Sequence, residues 1–211
     1  MEKKFSKGEA IRFGWQTTKQ NLGFFIGLLI IAGLIYIVPD KTADFLRKES
    51  KVLSWIVSII GMILGIIVSL GMIKISLNFC DNLKSKVSDI FSQYRLFFRF
   101  LFAHILYTLI VLAGLILFII PGIYWGIRFQ FYEYFIIDKN SRITESLKKS
   151  WVITKGSVWN LFLLGLLLGL INVAGALLLL IGLFATIPTT MVAMAFVYRR
   201  LTSNSAQTSI E

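Results

Sequence analysis

The sequence predicts an all-α integral membrane protein with six transmembrane helices, arranged as three hairpins, and with amphipathic helices on the cytoplasmic face. Hydrophobic residues make up 56% of the 211 residues and charged residues only 16%, whereas a soluble domain has about 25% charged residues. Charged residues are missing from four long segments, and basic residues cluster in alternate connections between the predicted helices. These three observations together favour a multi-pass protein of the bilayer.

Four stretches contain no Asp, Glu, Lys or Arg. They lie between Lys19 and Asp40, Lys51 and Lys74, Arg99 and Arg128, and Lys155 and Arg199, and they contain 20, 22, 28 and 43 residues. Because a membrane-spanning helix needs about 20 apolar residues, the first two stretches predict one span each and the last predicts two. No Ala-x-Ala site follows the first apolar run, so we expect an uncleaved span there.

The third stretch is open to two interpretations. Pro121 and Gly122 favour a break, because proline lacks a backbone donor and glycine readily adopts turn conformations. One interpretation is a single kinked helix through residues 101–137. The other is a hairpin of two spans, Leu101–Ile119 and Ile123–Ile137. The last stretch divides near Gly182 into Val158–Ile181 and Phe184–Tyr198.

The distribution of basic residues favours the hairpin, because short cytoplasmic loops collect Lys and Arg. With six spans and a cytoplasmic N-terminus, 17 basic residues lie on cytoplasmic segments and four lie outside. A single helix through residues 101–137 would place five basic residues of the next loop outside. We therefore expect both termini in the cytoplasm, one membrane domain over residues 1–201, and a disordered cytoplasmic tail over residues 202–211. The four outside residues are Lys41, Arg47, Lys48 and Lys51.

A short motif occurs before two different apolar runs. Residues 9–19 read EAIRFGWQTTK and residues 145–155 read ESLKKSWVITK. At about 100° per residue, Trp15 shares a helix face with Ile11 and Thr18, as Trp151 does with its equivalents. A Trp-bearing face with a basic edge suits a helix in the headgroup plane. The predicted lipid-binding residues are Arg12, Trp15, Lys19, Lys148, Trp151 and Lys155.

The motif also suggests three repeat units over residues 1–75, 76–138 and 139–201, each a cytoplasmic-face helix followed by a hairpin. The segment Val87–Phe100 would be a weaker copy of the motif, since it is aromatic and basic but lacks the Trp-x-x-Thr-Lys spacing. The alternative is that spans simply often begin with Trp and Lys, without duplication.

Small residues predict close helix packing, either within the chain or between two copies of it. Gly-x-x-x-Gly occurs four times, at Gly23 and Gly27, Gly61 and Gly65, Gly122 and Gly126, and Gly165 and Gly169.

Few polar side chains lie at membrane depth. Arg128, Tyr132 and Glu133 belong to the fourth predicted span, and Asn172 belongs to the fifth. A charge at that depth costs several kcal/mol unless it is paired or hydrated, so such residues are candidates for a functional site. The fourth and sixth spans are short and lie beside Pro121 and Pro188, which is a pointer to a transporter site. The alternative is that the two charges anchor a short span at the interface.

The composition argues against an enzyme. One His and one Cys provide no His-Glu-x-x-His pair and no zinc cluster, and no Gly-x-Ser-x-Gly motif is present. We therefore expect no catalytic residues, no metal and no cofactor. Anionic lipid headgroups explain the net charge of +11, because each basic residue near a membrane surface gains about 1 kcal/mol. We expect no nucleic-acid partner.

Residues 119–164, IIPGIYWGIRFQFYEYFIIDKNSRITESLKKSWVITKGSVWNLFLL, resemble a group of uncharacterised prokaryotic six-span membrane proteins. The group includes the YciC-like proteins and the membrane domain of some glycerophosphodiester phosphodiesterases. The likeness covers residues 119–201 well and the first half loosely. It implies a six-helix domain of a bacterial inner membrane, and neither phosphodiesterase activity nor catalytic residues. The matching positions are Pro121, Gly122, Ile123, Asp138, Ser146, Leu147, Ser150, Gly156, Trp159, Leu161 and Phe162.

Two functional hypotheses follow. The first is a non-enzymatic protein that acts on the bilayer through anionic lipids, or on partner membrane proteins. The second is a small transporter or channel with a polar path around Arg128, Glu133 and Asn172.

Overall fold

A computed structural model describes residues 5–178 and 180–208, and within these ranges all regular structure is helical. The all-helical prediction is therefore confirmed for the part of the chain that is described. Two short 3-10 turns, Val87–Phe91 and Tyr94–Leu96, lie between the third and fourth helices. The α-helices are α1 Lys7–Gln20, α2 Leu22–Leu46, α3 Lys51–Cys80, α4 Phe97–Leu117, α5 Ile119–Phe129, α6 Tyr132–Lys139, α7 Ile143–Ile153, α8 Val158–Leu177 and α9 Leu183–Thr208.

Within residues 5–178 and 180–208, four helical segments are long and apolar enough to cross a membrane, so the protein is membrane-embedded. These segments are Leu22–Leu46, Lys51–Cys80, Val87–Leu117 with its leading 3-10 turns, and Val158–Leu177. Of the remaining two predicted spans, the fourth corresponds to α5 and α6, which a short interruption separates. The sixth corresponds to α9.

Helix α2 packs along α3, and glycines of α3 set the distance between them. A Cβ at Gly61 would lie 2.7 Å from the Pro39 side chain, and one at Gly65 would lie 2.7 Å from the Tyr36 ring. This Gly-x-x-x-Gly pair therefore packs within the chain. At Gly23, Gly27, Gly165 and Gly169, by contrast, an added Cβ would meet no atom within 4 Å.

The turn between α4 and α5 lies earlier than predicted. Phe118 adopts an extended conformation with φ −164° and ψ 153°, and α5 begins at Ile119. Pro121 is thus in the first helical turn, where its missing N–H has no intrahelical acceptor and its ring is tolerated. Gly114 and Gly122 allow the close approach, since a Cβ on Gly114 would lie 2.8 Å from the Gly122 Cα. The break predicted at Pro121 is therefore at Phe118.

The segment predicted as a weaker amphipathic helix, Val87–Phe100, instead forms the two 3-10 turns and the start of α4. The Asp89 carboxylate accepts a hydrogen bond from the Lys86 N–H, which fixes the first turn. Backbone of this turn rests on Gly71 of α3, where a Cβ would lie 1.9 Å from the Ile90 carbonyl oxygen. Packing on α3 therefore determines the conformation of this segment.

The predicted disordered tail also differs, because α9 continues through residues 202–208. Leu201 is buried at the start of this extension. The Thr202 hydroxyl donates to the Tyr198 carbonyl and the Ser203 hydroxyl donates to the Arg200 carbonyl. These contacts favour the continued helix. Residues 209–211 lie outside the described residues.

The largest buried cluster joins α3, α6 and α9. Phe131, Tyr134 and Phe135 pack around the fully buried Tyr198 ring, whose centroid lies 5.1 Å from those of Tyr134 and Phe135. The cluster thereby brings the ends of three helices together.

Candidate functional site: a polar cavity and two Trp-bearing helices

Helix α1 packs its small residues on α9 and exposes its basic ones. Ala10, Gly14 and Thr18 are buried, and a Cβ at Gly14 would lie 2.4 Å from the Thr189 carbonyl oxygen. The Glu9 carboxylate pairs with Arg200 at 2.6 Å, so α1 and α9 run antiparallel. The predicted apolar face is therefore divided, with Thr18 against α9 and Trp15 on the outside.

The outer side of α1 carries the predicted lipid-binding residues Arg12, Trp15 and Lys19. All three are exposed, and 49% of the Trp15 surface is accessible. Their spacing of three and four residues places them on one stripe along the helix. We call these three residues the α1 stripe. A Trp flanked by two cations suits the boundary between headgroups and acyl chains.

Helix α7 buries the equivalent positions on a different partner, the interruption between α5 and α6. The Ser150 hydroxyl donates to the Arg128 carbonyl at 2.9 Å and accepts from the Phe131 N–H at 3.0 Å. The Thr154 hydroxyl also lies 3.1 Å from the Arg128 carbonyl. Buried backbone groups that a helix interruption leaves unpaired must find other partners. Side chains of α7 supply them, so the predicted span Ile123–Ile137 is an interrupted helix.

Trp151 covers a buried cation instead of facing outward. The Arg128 guanidinium carbon lies 3.9 Å from the Trp151 ring centroid and 5.8 Å from that of Tyr124. Only 3% of the Arg128 surface is accessible, and among the described residues no acidic side chain pairs with it. The two aromatic faces therefore provide its principal electrostatic contacts, through cation–π attraction.

The exposed side of α7 still carries cations. Lys148 and Lys155 are exposed, with Val152 between them. Trp159, one turn beyond Lys155, is 68% exposed and stacks on Phe162. Trp159 is therefore the exposed Trp of this region, whereas the sequence predicted that position for Trp151.

A cavity of about 530 Å³ lies between the α2–α3 pair and the helices α4 and α6. It extends from Ser58 to Ser69 along α3, which corresponds to about 16 Å at 1.5 Å per residue. Its polar lining residues are Tyr36, Asp40, Ser58, Ser69, His104 and Glu133. A polar lining between otherwise apolar helices is the arrangement expected of a functional site.

One wall of the cavity holds a hydrogen-bonded chain of three side chains. The Tyr132 hydroxyl donates to Glu133 Oε1 at 2.9 Å. His104 Nδ1 lies 2.8 Å from the Tyr132 oxygen. A phenol has a single proton, so His104 Nδ1 carries a hydrogen and donates to Tyr132. His104 Nδ1 also lies 3.9 Å from Glu133 Oε1. His104, Tyr132 and Glu133 therefore form one continuous chain of polar contacts along this wall.

The opposite wall is formed by α2 and α3. The Tyr36 hydroxyl donates to the Gly65 carbonyl at 3.0 Å and lies 3.0 Å from the Ser69 hydroxyl. Asp40 lies one turn beyond Tyr36 on α2, toward the other end of the cavity. The cavity thus has one carboxylate on α2, Asp40, and one on α6, Glu133.

The four residues of the predicted intramembrane site do not form one cluster. Tyr132 and Glu133 belong to the cavity, whereas Arg128 is enclosed by α5 and α7. Asn172 forms a weak contact of 3.4 Å with Thr190 on α9. In a continuous helix Tyr132 would lie beside Arg128, four residues earlier. It contacts Glu133 instead, because the interruption at Gln130 and Phe131 changes the helix register.

Sequence reasoning did not pair His104 with Glu133, although a signal was present. The two residues lie at nearly equal distances in sequence from Phe118, where α4 turns into α5. In an antiparallel pair such positions lie at the same level. Asp40 was treated only as the end of a span, and nothing in the local sequence connects it with Glu133.

An ionic network joins the ends of α3, α6 and α9. Arg199 pairs with Asp81 at 2.6 Å and with Asp138 at 2.8 Å, and Tyr198 donates to Asp138 at 3.0 Å. Burial alone would raise the pKa of Asp138, but the hydrogen bond and charge of Arg199, together with Tyr198, hold that pKa below its ordinary value. Arg199 and Arg200 are therefore engaged in ion pairs within the protein.

A second cavity, of about 500 Å³, lies where α1 meets α2 and the end of α3. Its donors include the amides of Gln16, Gln20 and Asn21 and the ammonium group of Lys84. Gln16 and Gln20 each adjoin a residue of the α1 stripe in sequence. Such donors suit phosphate oxygens.

Comparison of the chain with protein-family models, with curated proteins and with solved structures finds no match. The resemblance to YciC-like proteins therefore stays a prediction.

Proposed function

We propose that this protein is a non-enzymatic membrane protein that binds anionic lipid at its cytoplasmic face. The observation that carries the proposal is the α1 stripe, in which Arg12, Trp15 and Lys19 are exposed together while the other side of α1 is packed on α9. Lys148 and Lys155 extend the basic surface on α7. The amide-lined cavity beside α1 offers room for a headgroup. Partner membrane proteins are an alternative occupant of this surface.

The proposal includes a topology of six crossings with both termini in the cytoplasm of a prokaryotic cell. Arg199 supports it, because this residue joins the ends of α3, α6 and α9, as expected if three hairpins return to one side. Tags at residues 45 and 145 test the topology in intact cells. We expect opposite accessibility, and equal accessibility would contradict six crossings.

Lipid binding is tested by native mass spectrometry of the purified protein in a neutral detergent. We expect a preference for phosphatidylglycerol over phosphatidylcholine, reduced by the double variant Arg12→Gln, Lys19→Gln. Each cation near a membrane surface contributes about 1 kcal/mol, so the loss is about fivefold for each charge. Lys48→Gln, which removes one charge on the opposite side in the proposed topology, is the matched control. An unchanged preference in the double variant, or an equal loss in Lys48→Gln, would contradict the proposal.

A second candidate function is transport of a small solute. The observation that favours it is the elongated cavity with Glu133 on one wall, next to the interrupted pair α5 and α6. Interrupted membrane helices commonly form transporter binding sites. Proteoliposome uptake assays test this function, and we expect Glu133→Gln to abolish uptake. Equal uptake by wild type and by the variant would argue against transport through this cavity.

A further inference from the structure

The charge of the 530 Å³ cavity is opposite to that of the chain. The protein has a net charge of +11, yet Asp40 and Glu133 line the cavity without any Lys or Arg among its described lining residues. Asp40 pairs with no basic side chain in the part of the chain that is described. The nearest base to Glu133 is His104, at 3.9 Å. The cavity is therefore an acidic site within a basic protein.

Glu133 retains an oxygen for a ligand. Its Oε1 accepts the Tyr132 hydroxyl, while Oε2 has no hydrogen-bond partner among the residues described. About 27% of the Glu133 side chain is accessible, so the carboxylate is reachable from the cavity. In an environment of low dielectric, such a charge attracts a cation more strongly than it would in water.

The remaining lining residues are apolar or aromatic. Met62, Ile66 and Leu101 offer aliphatic surface, and Tyr36 and Phe100 offer rings. Aromatic faces attract organic cations by cation–π interaction. A volume of about 530 Å³ lies within the range of about 300–1,000 Å³ typical of small-molecule sites.

We propose that this cavity binds a hydrophobic organic cation, with its amine or quaternary group near Glu133 and its apolar body against α3 and α4. A bare metal ion fits less well, because the described residues contain no group of three or more carboxylate, His or Cys ligands. An anion would be repelled by both carboxylates. The inference names the ligand class for the transport candidate above, but it concerns equilibrium binding and does not require flux.

Tetraphenylphosphonium and tetraphenylborate test the inference, because they share one shape and carry opposite charges. Isothermal titration calorimetry on the detergent-solubilised full chain should show saturable binding of the phosphonium. We expect the borate to bind at least about tenfold more weakly, because the two carboxylates repel it by Coulomb interaction and attract the phosphonium. Equal affinity for the two ions would overturn the inference.

Variants locate the site within the cavity. Glu133→Gln should weaken phosphonium binding about tenfold, because it removes a Coulomb attraction. Asp40→Asn should weaken it less, because Asp40 is more exposed. Asp44→Asn is the matched control. It removes the same charge one turn further along α2, where Asp44 pairs with Arg47 at 3.4 Å and does not line the cavity. Equal losses in Asp40→Asn and Asp44→Asn, or no loss in Glu133→Gln, would overturn the inference.

Two further measurements separate the remaining interpretations. If Glu133→Gln does not fold, His104→Lys places a cation on the same wall and should also weaken phosphonium binding, and unchanged affinity in that variant would overturn the inference.

Nanodiscs with phosphatidylethanolamine distinguish the source of the cation. If phosphatidylethanolamine competes with the phosphonium for the cavity, the natural cation is a lipid amine. If phosphatidylethanolamine does not compete, the natural cation is water-soluble. Binding without uptake in proteoliposomes would end the transport proposal and leave this inference standing.

Discussion

Helices α1 and α7 carry the same motif and bury the same positions of it, yet the Trp of the motif has different contacts in the two helices. In α1, and in α7 together with the turn that follows it, three small residues spaced four apart face the protein interior, and a Trp and two cations lie beside them. The equivalent buried pairs are Ala10 and Ser146, Gly14 and Ser150, and Thr18 and Thr154.

The difference arises from the partner of each helix. Helix α1 packs on a continuous segment of α9, where the absence of a side chain at Gly14 allows close backbone contact. Helix α7 packs on an interrupted helix, where the Ser150 hydroxyl supplies the missing backbone partners. Trp15 then remains exposed, whereas Trp151 covers Arg128. The same motif therefore leaves its Trp exposed on α1, whereas on α7 the Trp packs on a buried arginine.

The largest expected effect is that of Gly14→Ala. The new Cβ would lie 2.4 Å from the Thr189 carbonyl oxygen, which belongs to backbone and cannot rotate away. Overpacking of this kind costs typically about 1–3 kcal/mol. We expect a clearly lower melting temperature for the detergent-solubilised protein, measured by circular dichroism.

Gly8→Ala is the matched control for this prediction. It makes the same chemical change six residues earlier in α1, where an added Cβ meets no atom within 4 Å. We expect an unchanged or slightly raised melting temperature. Similar destabilisation by the two variants would mean that close packing on α9 does not hold α1 in place.

The next effect is that of Ser150→Ala. The variant removes one donor and one acceptor at the helix interruption, and an unsatisfied buried group costs about 1–3 kcal/mol. Ser146→Ala is the control, because among the described residues the Ser146 hydroxyl bonds only to the Ile143 carbonyl of its own helix. A melting temperature lowered equally by both variants would contradict the bracing role of Ser150.

The third prediction compares the ion pairs of two adjacent arginines in α9, Arg199 with Asp138 and Arg200 with Glu9. The pKa of Asp138 is lowered despite burial, mainly through Arg199. A depressed pKa contributes stability that is present above the ordinary carboxylate pKa and is lost as pH falls through the folded-state value. We expect Asp138→Asn to flatten the acid limb of the stability profile, measured by thermal unfolding between neutral and acidic pH.

Arg200→Gln provides the contrast. Its pair with Glu9 is half exposed, and exposed ion pairs contribute about 0–1 kcal/mol. The acid limb should therefore stay as in the wild type. If Arg200→Gln flattens the acid limb and Asp138→Asn does not, the pH dependence of stability arises from the Arg200–Glu9 pair and not from Asp138.

The smallest expected effects are those of the two motif threonines. The buried Thr18 hydroxyl has no hydrogen-bond partner among the described residues, whereas Thr154 lies within reach of the Arg128 carbonyl. Replacement by Val should thus be neutral or stabilising at Thr18 and cost about 1 kcal/mol at Thr154. Urea or thermal unfolding of the two variants measures the difference. An equal loss of unfolding free energy in both would show that the Thr18 and Thr154 hydroxyls contribute alike.

Much of the fold could be predicted because it depends on local composition. Runs without charge marked the apolar helices, and the Trp-x-x-Thr-Lys motif marked α1 and α7 as related. The position of the turn at Phe118 and the interruption after Phe129 could not be predicted, because packing of α5 on α4 and hydrogen bonds from α7 determine them.

The candidate site was predictable only in part for the same reason. Their charge within an apolar segment identified Arg128 and Glu133 as unusual, but the prediction assumed one continuous span that contains both. The interruption turns Tyr132 toward Glu133 and leaves Arg128 beneath Trp151. The pairing of Glu133 with His104, and the place of Asp40 in the same cavity, depend on contacts between distant parts of the chain.

The most direct test of the difference between α1 and α7 is to replace each Trp by Ala and to measure both lipid preference and melting temperature. We predict that Trp15→Ala lowers the preference for phosphatidylglycerol and leaves the melting temperature unchanged. Trp151→Ala should lower the melting temperature, because a desolvated cation–π contact contributes about 2 kcal/mol, and should leave lipid preference unchanged. If both variants change the same quantity to the same extent, the two copies of the motif have one role, and the distinction drawn between them is wrong.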